Sequence, residues 1–317
     1  MKLYSFESTL SPLPPFDFSQ SLAFISNFGP MMNEQEVSEN SFTKAVEIEG
    51  KTIVFEVTGI GNIENPKLHL TVSSENKLTE KIEKLVTDRI SFFLSLKDDL
   101  KEFYKIANQD ESFKPAVKKF YGHKQVKFLT PFEIACWAIL AQRIPMAISH
   151  KMKERIVQKL GGHIQVKGIE FCAFPEAQKL AEVPLDNLLE MVPNRRKAEY
   201  LHGVAKAFSQ VDEQWLTSGN YDEVYQWLTD IKGIGDWSAH FVMIRGLGRM
   251  EKLTNIEPQF ALDVAKIYLR KSEPATDIEV CNLGEKYGKW IGYWAYYLRI
   301  YSEFAYVLEE VKKHQHE

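Results

Sequence analysis

The spacing of apolar positions along the chain changes once, near residue 75. Up to there the period is two. Val46 and Ile48, then Ile53, Phe55 and Val57, alternate with polar residues on either side of Glu49-Gly50-Lys51, and Leu68, Leu70 and Val72 alternate again. Such alternation makes one face apolar, as in the strands of a hairpin. Phe16 to Phe28 carries the pattern of a short amphipathic helix, and Pro12, Pro14 and Pro15 are expected to rule out regular structure near the start. Residues 1–75 therefore predict an antiparallel sheet with a helix on one face.

From Asn76 the pattern turns helical and is expected to stay so. It predicts one long helix over Asn76–Leu96 and shorter ones over Asp98–Ala107 and Ser112–Phe120. Thr130-Pro131-Phe132-Glu133 is a start signal: Thr suits the N-cap, Pro the first turn, and Glu at N3 completes a capping box. The helix it opens, to about Gln142, is apolar nearly all round and should be central. Pro145 suits the first position of a helix ending at Gly161-Gly162, and Pro175, Pro184 and Pro193 punctuate short helices. Leu201, Val204, Ala205 and Phe208 form a further helix face. Leu253-Thr254-Asn255-Ile256 reads as a linker. Beyond it Pro258 opens a helix with Ala261, Val264, Ala265 and Tyr268 on one side, which puts Glu257 at its N-cap. Trp290, Tyr293, Trp294, Tyr297 and Tyr301 mark the final helix. The predicted class is α+β, with a sheet domain over 1–75 and a helical domain over 76–317.

One stretch organises the helical part. Val224, Trp227, Leu228 and Ile231 line a helix face, Lys232-Gly233-Ile234-Gly235 follows, and Asp236 is placed to cap a second helix running to about Leu247, with Gly248 as its stop. This is a helix-hairpin-helix pattern. Glycines there permit positive φ and bring backbone N–H groups close to a phosphate, with the second helix adding its positive end. Read alone, Gly-x-Gly is equally a tight turn between packed helices.

Composition narrows the class. The 317 residues are 44% hydrophobic and 26% charged, as in an ordinary globular protein large enough for two cores. Met1 to Glu7 lacks a basic stretch followed by an apolar one, so no signal peptide is expected, and no apolar run approaches a membrane span. Cys136, Cys172 and Cys281 are far apart, fit no metal-binding spacing and are too few for an iron–sulfur cluster, which predicts buried free thiols and no metal. A cytoplasmic (bacterial nucleoid-associated) or nuclear protein, not a secreted one, is expected. The net charge of −4 and pI of 6.1 argue against indiscriminate coating of nucleic acid but leave room for a local basic face.

Taken in order, four segments resemble the helix-hairpin-helix DNA glycosylases, most closely the DNA-3-methyladenine glycosylase II branch. They are Thr130-Pro131-Phe132-Glu133 with Ile139-Leu140-Ala141-Gln142; Arg196-Lys197-Ala198-Glu199-Tyr200-Leu201; Gly233-Ile234-Gly235-Asp236-Trp237-Ser238-Ala239 with Arg245; and Trp290-Ile291-Gly292-Tyr293-Trp294-Ala295 with Tyr297-Leu298. The resemblance runs from about Asn76 to the end, and less specifically through the sheet region. It implies an enzyme that flips a damaged nucleotide from the duplex and cleaves its N-glycosidic bond.

The resemblance also assigns roles. A carboxylate beside C1′ stabilises the oxocarbenium character of the departing sugar and orients water. The family carries an Asp about a dozen residues after the arginine of the second hairpin helix; counting from Arg245 reaches Glu257, so a Glu stands in its place. A helix dipole would keep a carboxylate there ionised. Asp263 is the second choice, expected to be solvated on the far side of its helix. Bifunctional members have a nucleophilic Lys where this chain has Trp237, which implies a monofunctional enzyme using water. Trp237, Phe241 and Trp290 are implied around the base, where electron-rich rings suit cationic methylated purines. Gly233, Ile234 and Gly235 would meet the DNA backbone. Gln142-Arg143-Ile144 is the loop whose side chain fills the gap left by the flipped base, with either Arg143 or Ile144 as wedge. Arg195, Arg196 and Lys197 could touch phosphates or form a solvated helix start.

The implied activity is removal of alkylated, 3-methyladenine-type purines in base excision repair, by a monomer acting on double-stranded DNA. No cofactor is expected beyond an alkali-metal ion that the hairpin carbonyls could hold. The alternatives are a non-catalytic DNA- or damage-binding protein built on the same hairpin, and a protein-interaction scaffold.

Overall fold

The computed structural model describes residues 3–32, 34–253 and 255–314, with side chains through residue 304; Thr254 of the expected linker lies outside the described residues. The class is α+β, as the pattern of apolar positions predicts.

A five-stranded antiparallel sheet occupies the amino-terminal region: β1 (Tyr4–Leu10), β2 (Gln35–Val37), β3 (Ser41–Ile48), β4 (Lys51–Gly59) and β5 (Leu68–Ser74), in the order β1-β5-β4-β3-β2. Contrary to expectation, regular structure is present near the start: β1 precedes Pro12 and pairs with β5 along its length. The β3–β4 hairpin pairs Ile48 with Lys51 across Glu49 and Gly50, both left-handed at φ 49° and 69°. Two such residues make the turn whose twist matches that of the strands. Phe42, Ile53, Phe55, Val57, Leu70 and Val72 are buried on one face. Helix α1 (Phe18–Asn27) covers that face through Phe18, whose ring lies 6.3 Å from Phe42.

The remaining helices are α2 (Glu80–Phe93), α3 (Lys101–Ala107), α4 (Lys114–Lys119), α5 (Pro131–Leu140), α6 (Met146–Leu160), α7 (Ala177–Ala181), α8 (Leu185–Met191), α9 (Arg195–Phe208), α10 (Glu213–Ser218), α11 (Tyr221–Asp230), α12 (Asp236–Arg245), α13 (Pro258–Val264), α14 (Asp277–Gly284) and α15 (Ile291–His314). The expected long helix over 76–96 is shorter because Thr79 caps it, its side chain accepting from the N–H of Ile82. All ten residues of α5 are buried, in keeping with its all-round apolar sequence. Thr130 caps it as predicted, but the box is only half formed. The Glu133 carboxylate turns inward to Lys153 on α6, 2.7 Å away and equally buried. Pro145 is the N-cap of α6, not its first residue.

The region from residue 76 is not helical throughout. A second antiparallel pair, β6 (Gly162–Val166) and β7 (Ile169–Ala173), turns at Lys167 and Gly168, left-handed at φ 52° and 83°. Ile164, Phe171 and Ala173 bury one side of this hairpin against Ala45 and Val54 of the large sheet. Its apolar alternation, at 164, 166, 169 and 171, is the period-two signal seen nearer the amino terminus.

The chain forms two compact units, Met1–Asp98 with Lys124–Gly248, and Asp99–His123 with Arg249–Glu317. The sheet thus shares a unit with α5–α12, although the change from strand to helix falls near residue 75, between β5 and α2. The first unit has an aliphatic and phenylalanine core. The second adds tyrosine and tryptophan to its phenylalanines: Tyr287, Tyr293, Trp294 and Tyr297 are buried with Phe103 and Phe113. Among the described residues, no helix is long and apolar enough to cross a membrane.

Candidate DNA-binding hairpin and carboxylate sites

In the first unit, α11 and α12 flank the turn at 231–235. Gly233 has φ +101°, and a Cβ there would lie 2.5 Å from the ring of Tyr200 on α9. Glycine is required at this position by backbone and space alike. Gly235 is different: its φ of −95° suits any residue, and nothing lies within 4 Å of a Cβ added to it. Gly235, not Asp236, is the N-cap of α12. Asp236 is the first helical residue, and its carboxylate accepts a 3.1 Å hydrogen bond from the Tyr225 hydroxyl. Ile234 is buried beneath the turn while Gly235 is exposed. The turn therefore offers main chain to solvent.

The loop after α5 is tied to that turn: the Gln142 side chain donates to the Gly233 carbonyl at 2.8 Å. Arg143 is exposed and left-handed at φ 55°, whereas Ile144 packs against the core. Beneath the loop, the Lys197 ammonium donates to the carbonyls of Ile139, Leu140 and Gln142 at 2.8, 2.9 and 2.8 Å. A cation is thus placed on the negative end of α5, where the last carbonyls have no helical partners. Burial pushes the Lys197 ammonium below its usual pKa. Lys197 is therefore neither a phosphate contact nor solvated. It lies four residues before Leu201, on the same stripe as Leu201, Val204 and Phe208, which is the sequence signal for an inward side chain. Arg195 and Arg196 stay outside. Arg195 pairs with Glu199 at 3.1 Å, and Arg196 donates to the Tyr200 hydroxyl at 2.6 Å.

On α12, Trp237 is 45% exposed and stacks on Phe241 with ring centres 5.2 Å apart and planes at 15°. Phe241 in turn meets Phe128 edge-on at 6.2 Å. The pair is a flat aromatic platform anchored on its inner side.

In the second unit, Glu257 is the N-cap of α13, as the position of Pro258 predicts. Its carboxylate pairs with Arg299 on α15, and their side chains are 31% and 39% exposed. The carboxylate is held yet open to solvent. Asp263 is buried, against expectation. Helix α13 is enclosed on two sides, with Phe260 against Trp294 at 5.7 Å, and Asp263 accepts from the Gln259 side chain at 2.9 Å. Burial raises the Asp263 pKa, with the Gln259 and Ser302 hydrogen bonds and the Arg299 and Lys266 charges offsetting it in part. Trp290 is half-buried, its indole N–H donating to Glu102 at 3.0 Å. A further polar cluster of this unit has no signal in the sequence. Asp110 accepts from the hydroxyls of Tyr268 and Tyr287 at 2.7 and 2.8 Å and pairs with Lys286 at 2.6 Å. Burial works to raise its pKa, but the bonds from Lys286, Tyr268 and Tyr287 outweigh it and hold the carboxyl below its usual value.

A family model described as HhH-GPD superfamily base excision DNA repair protein matches residues 136–288. A DNA-3-methyladenine glycosylase of Bacillus subtilis (strain 168) is 26% identical over 289 residues, covering 89% of this chain and 93% of that protein. Two solved structures share the fold. The 3-methyladenine DNA-glycosylase from Archaeoglobus fulgidus superposes with a TM-score of 0.75 at 20% identity, covering 94% of this chain and 99% of that one. The apo form of the Clostridium acetobutylicum 8-oxoguanine glycosylase/lyase does so with a TM-score of 0.66 at 19% identity, covering 93% and 97%.

Proposed function

The chain belongs to the HhH-GPD superfamily of base excision DNA repair proteins, and on that premise we propose that it is a monofunctional DNA glycosylase that excises alkylated, 3-methyladenine-type purines. The observation that carries this reading is Glu257, a carboxylate held by Arg299 at a helix N-cap and still open to solvent. The turn at 233–235 takes the DNA backbone on its N–H groups. The exposed Arg143, rather than the packed Ile144, enters the gap left by the flipped nucleotide. Trp237 offers a π-face to the cationic base.

A methylated purine carries positive charge and departs as a neutral base, so the bond can break without a general acid. The electron pair of the N-glycosidic bond leaves with the base. The Glu257 carboxylate stabilises the positive sugar and takes up the proton as water adds to C1′. Arg299 fixes the carboxylate in place. Trp237 supports hydrolysis rather than a covalent route, because indole has no amine with which to attack C1′. Some members of the fold are glycosylase/lyases, so this point has its own test.

The test is incubation of the purified chain with duplexes carrying 3-methyladenine or 1,N6-ethenoadenine, with and without alkali, and with borohydride in a parallel tube. The reading predicts abasic sites that break only after alkali, and no trapped adduct. Breakage without alkali together with an adduct would make the enzyme a lyase. Binding without excision of any alkylated base would leave a non-catalytic DNA-binding protein.

A further inference from the structure

The β6–β7 hairpin carries a side-chain cluster that the proposed activity does not use. His163 lies opposite Cys172 in the register, and Glu170 opposite Gln165, so His163, Cys172 and Glu170 share the face turned away from the core. The Cys172 Sγ is 3.3 Å from His163 Nδ1, and a Glu170 carboxylate oxygen is 3.6 Å from the same nitrogen. All three donor atoms lie within 4.8 Å of one another. Ligands about 2.0–2.3 Å from a tetrahedral zinc ion stand about 3.3–3.7 Å apart along the tetrahedron's edges. The two distances to Nδ1 therefore match the ligand separations of a zinc site before any ion is present.

Two further observations point the same way. His163 Nε2 lies 3.2 Å from the carbonyl of Gln158 near the end of α6. A carbonyl only accepts, so Nε2 carries a proton, and in the neutral ring the Nδ1 lone pair is left facing the Cys172 thiol. Metal-bound histidines are commonly oriented in this way. The backbone is also fixed. A Cβ on Gly162 would lie 1.9 Å from the Thr52 hydroxyl of β4, and one on Gly161 would lie 2.2 Å from the Ala173 carbonyl. The donors thus stand on strands pressed tightly onto their neighbours.

We propose that His163, Glu170 and Cys172 form a binding site for a divalent cation of the zinc type, with water as the fourth ligand. Glu170 and Cys172 border a cavity of about 260 Å3, which leaves room for that water. Binding replaces the thiol proton by the metal: the S–H bond breaks, the proton goes to solvent, and thiolate, imidazole and carboxylate take three coordination positions. The site pins the hairpin to the end of α6. It lies within the first unit and is independent of the glycosylase reading.

Cobalt(II) tests this on the full chain, because a cobalt–thiolate bond gives a charge-transfer band in the near ultraviolet. The expected result is one equivalent bound with that band, displaced by zinc. The band should disappear in Cys172→Ala, remain in Cys281→Ala, and need at least tenfold more cobalt in His163→Ala and Glu170→Gln. Circular dichroism of the variants checks that each is folded; the donors are solvent-facing, so folding should persist. No band at one equivalent, or a band that survives Cys172→Ala or is lost only in Cys281→Ala, overturns the proposal.

Discussion

The hairpin of the first unit and the carboxylates of the second present their chemistry in opposite ways. Around residues 231–237 the turn presents Gly235 and one aromatic face to solvent, and polar side chains of neighbouring elements hold its backbone. Lys197 caps the end of α5, Gln142 ties the loop to the turn, and Tyr200 fills the space that Gly233 leaves. In the second unit three carboxylates differ in setting and in partners: Asp110 lies just beyond α3, Glu257 caps α13 and Asp263 lies within it. Asp110 is buried with two hydroxyls and an ammonium, Asp263 is buried with an amide, and Glu257 is half open against Arg299. A main-chain site declares itself through a glycine. A side-chain site is defined by its neighbours.

The contrast can be broken in measurable steps. The largest stability loss is expected at Asp110. Replacing it with Asn removes the charge that Lys286 and both tyrosines engage, and should cost about 3 kcal/mol in denaturant unfolding at pH 7. Because its folded pKa is lowered, the Asp110 contribution is present above the unfolded value and is lost as pH falls through the folded one. The gap between wild type and Asp110→Asn should therefore close in acid; a gap independent of pH would show that shape, not charge, matters there. Gly233→Ala comes next, at about 2 kcal/mol, from the left-handed backbone and the Tyr200 ring. Lys197→Met should cost about 1–2 kcal/mol and loosen Gln142 and Arg143, read as faster amide exchange in that loop.

Gly235→Ala sharpens the comparison. It should leave unfolding unchanged, yet weaken binding to an abasic-site duplex by roughly fivefold, about 1 kcal/mol, because a Cβ would stand where a phosphate approaches. Unchanged binding would make the turn purely structural. Asp263→Asn gives the smallest effect. A raised folded pKa means that the aspartate's contribution is present below the unfolded value and lost as pH rises through the folded one. The variant should therefore melt slightly higher than wild type at pH 7 and equally near pH 3.

Much of this was legible in the chain. The period-two pattern marks β3, β4 and β5, Thr130-Pro131 marks the start of α5, and Gly233 marks the turn. What escaped depends on partners distant in sequence. The β6–β7 hairpin carries the right alternation, but each strand has only five residues and lies between helices, so the pattern is short against its surroundings. Asp263 looks solvated from its own helix because the packing of Phe260 on Trp294 belongs to another one. Arg299 lies among tyrosines with nothing in its spacing to connect it to Glu257, 42 residues earlier. Gly235 reads like Gly233, and only the dihedral angles and the space around each separate them.

The central claim is that Glu257 supplies the charge that stabilises the departing sugar. Its direct test is single-turnover excision of one alkylated purine by wild type and Glu257→Gln, with binding to an uncleaved duplex measured alongside. Losing a charge partner in the transition state costs on the order of 3 kcal/mol, so the rate should fall about a hundredfold or more. Binding should fall little, since the turn and Arg143 are untouched. Excision by Glu257→Gln at the wild-type rate would contradict the account and pass the role to Asp263 or to no carboxylate at all.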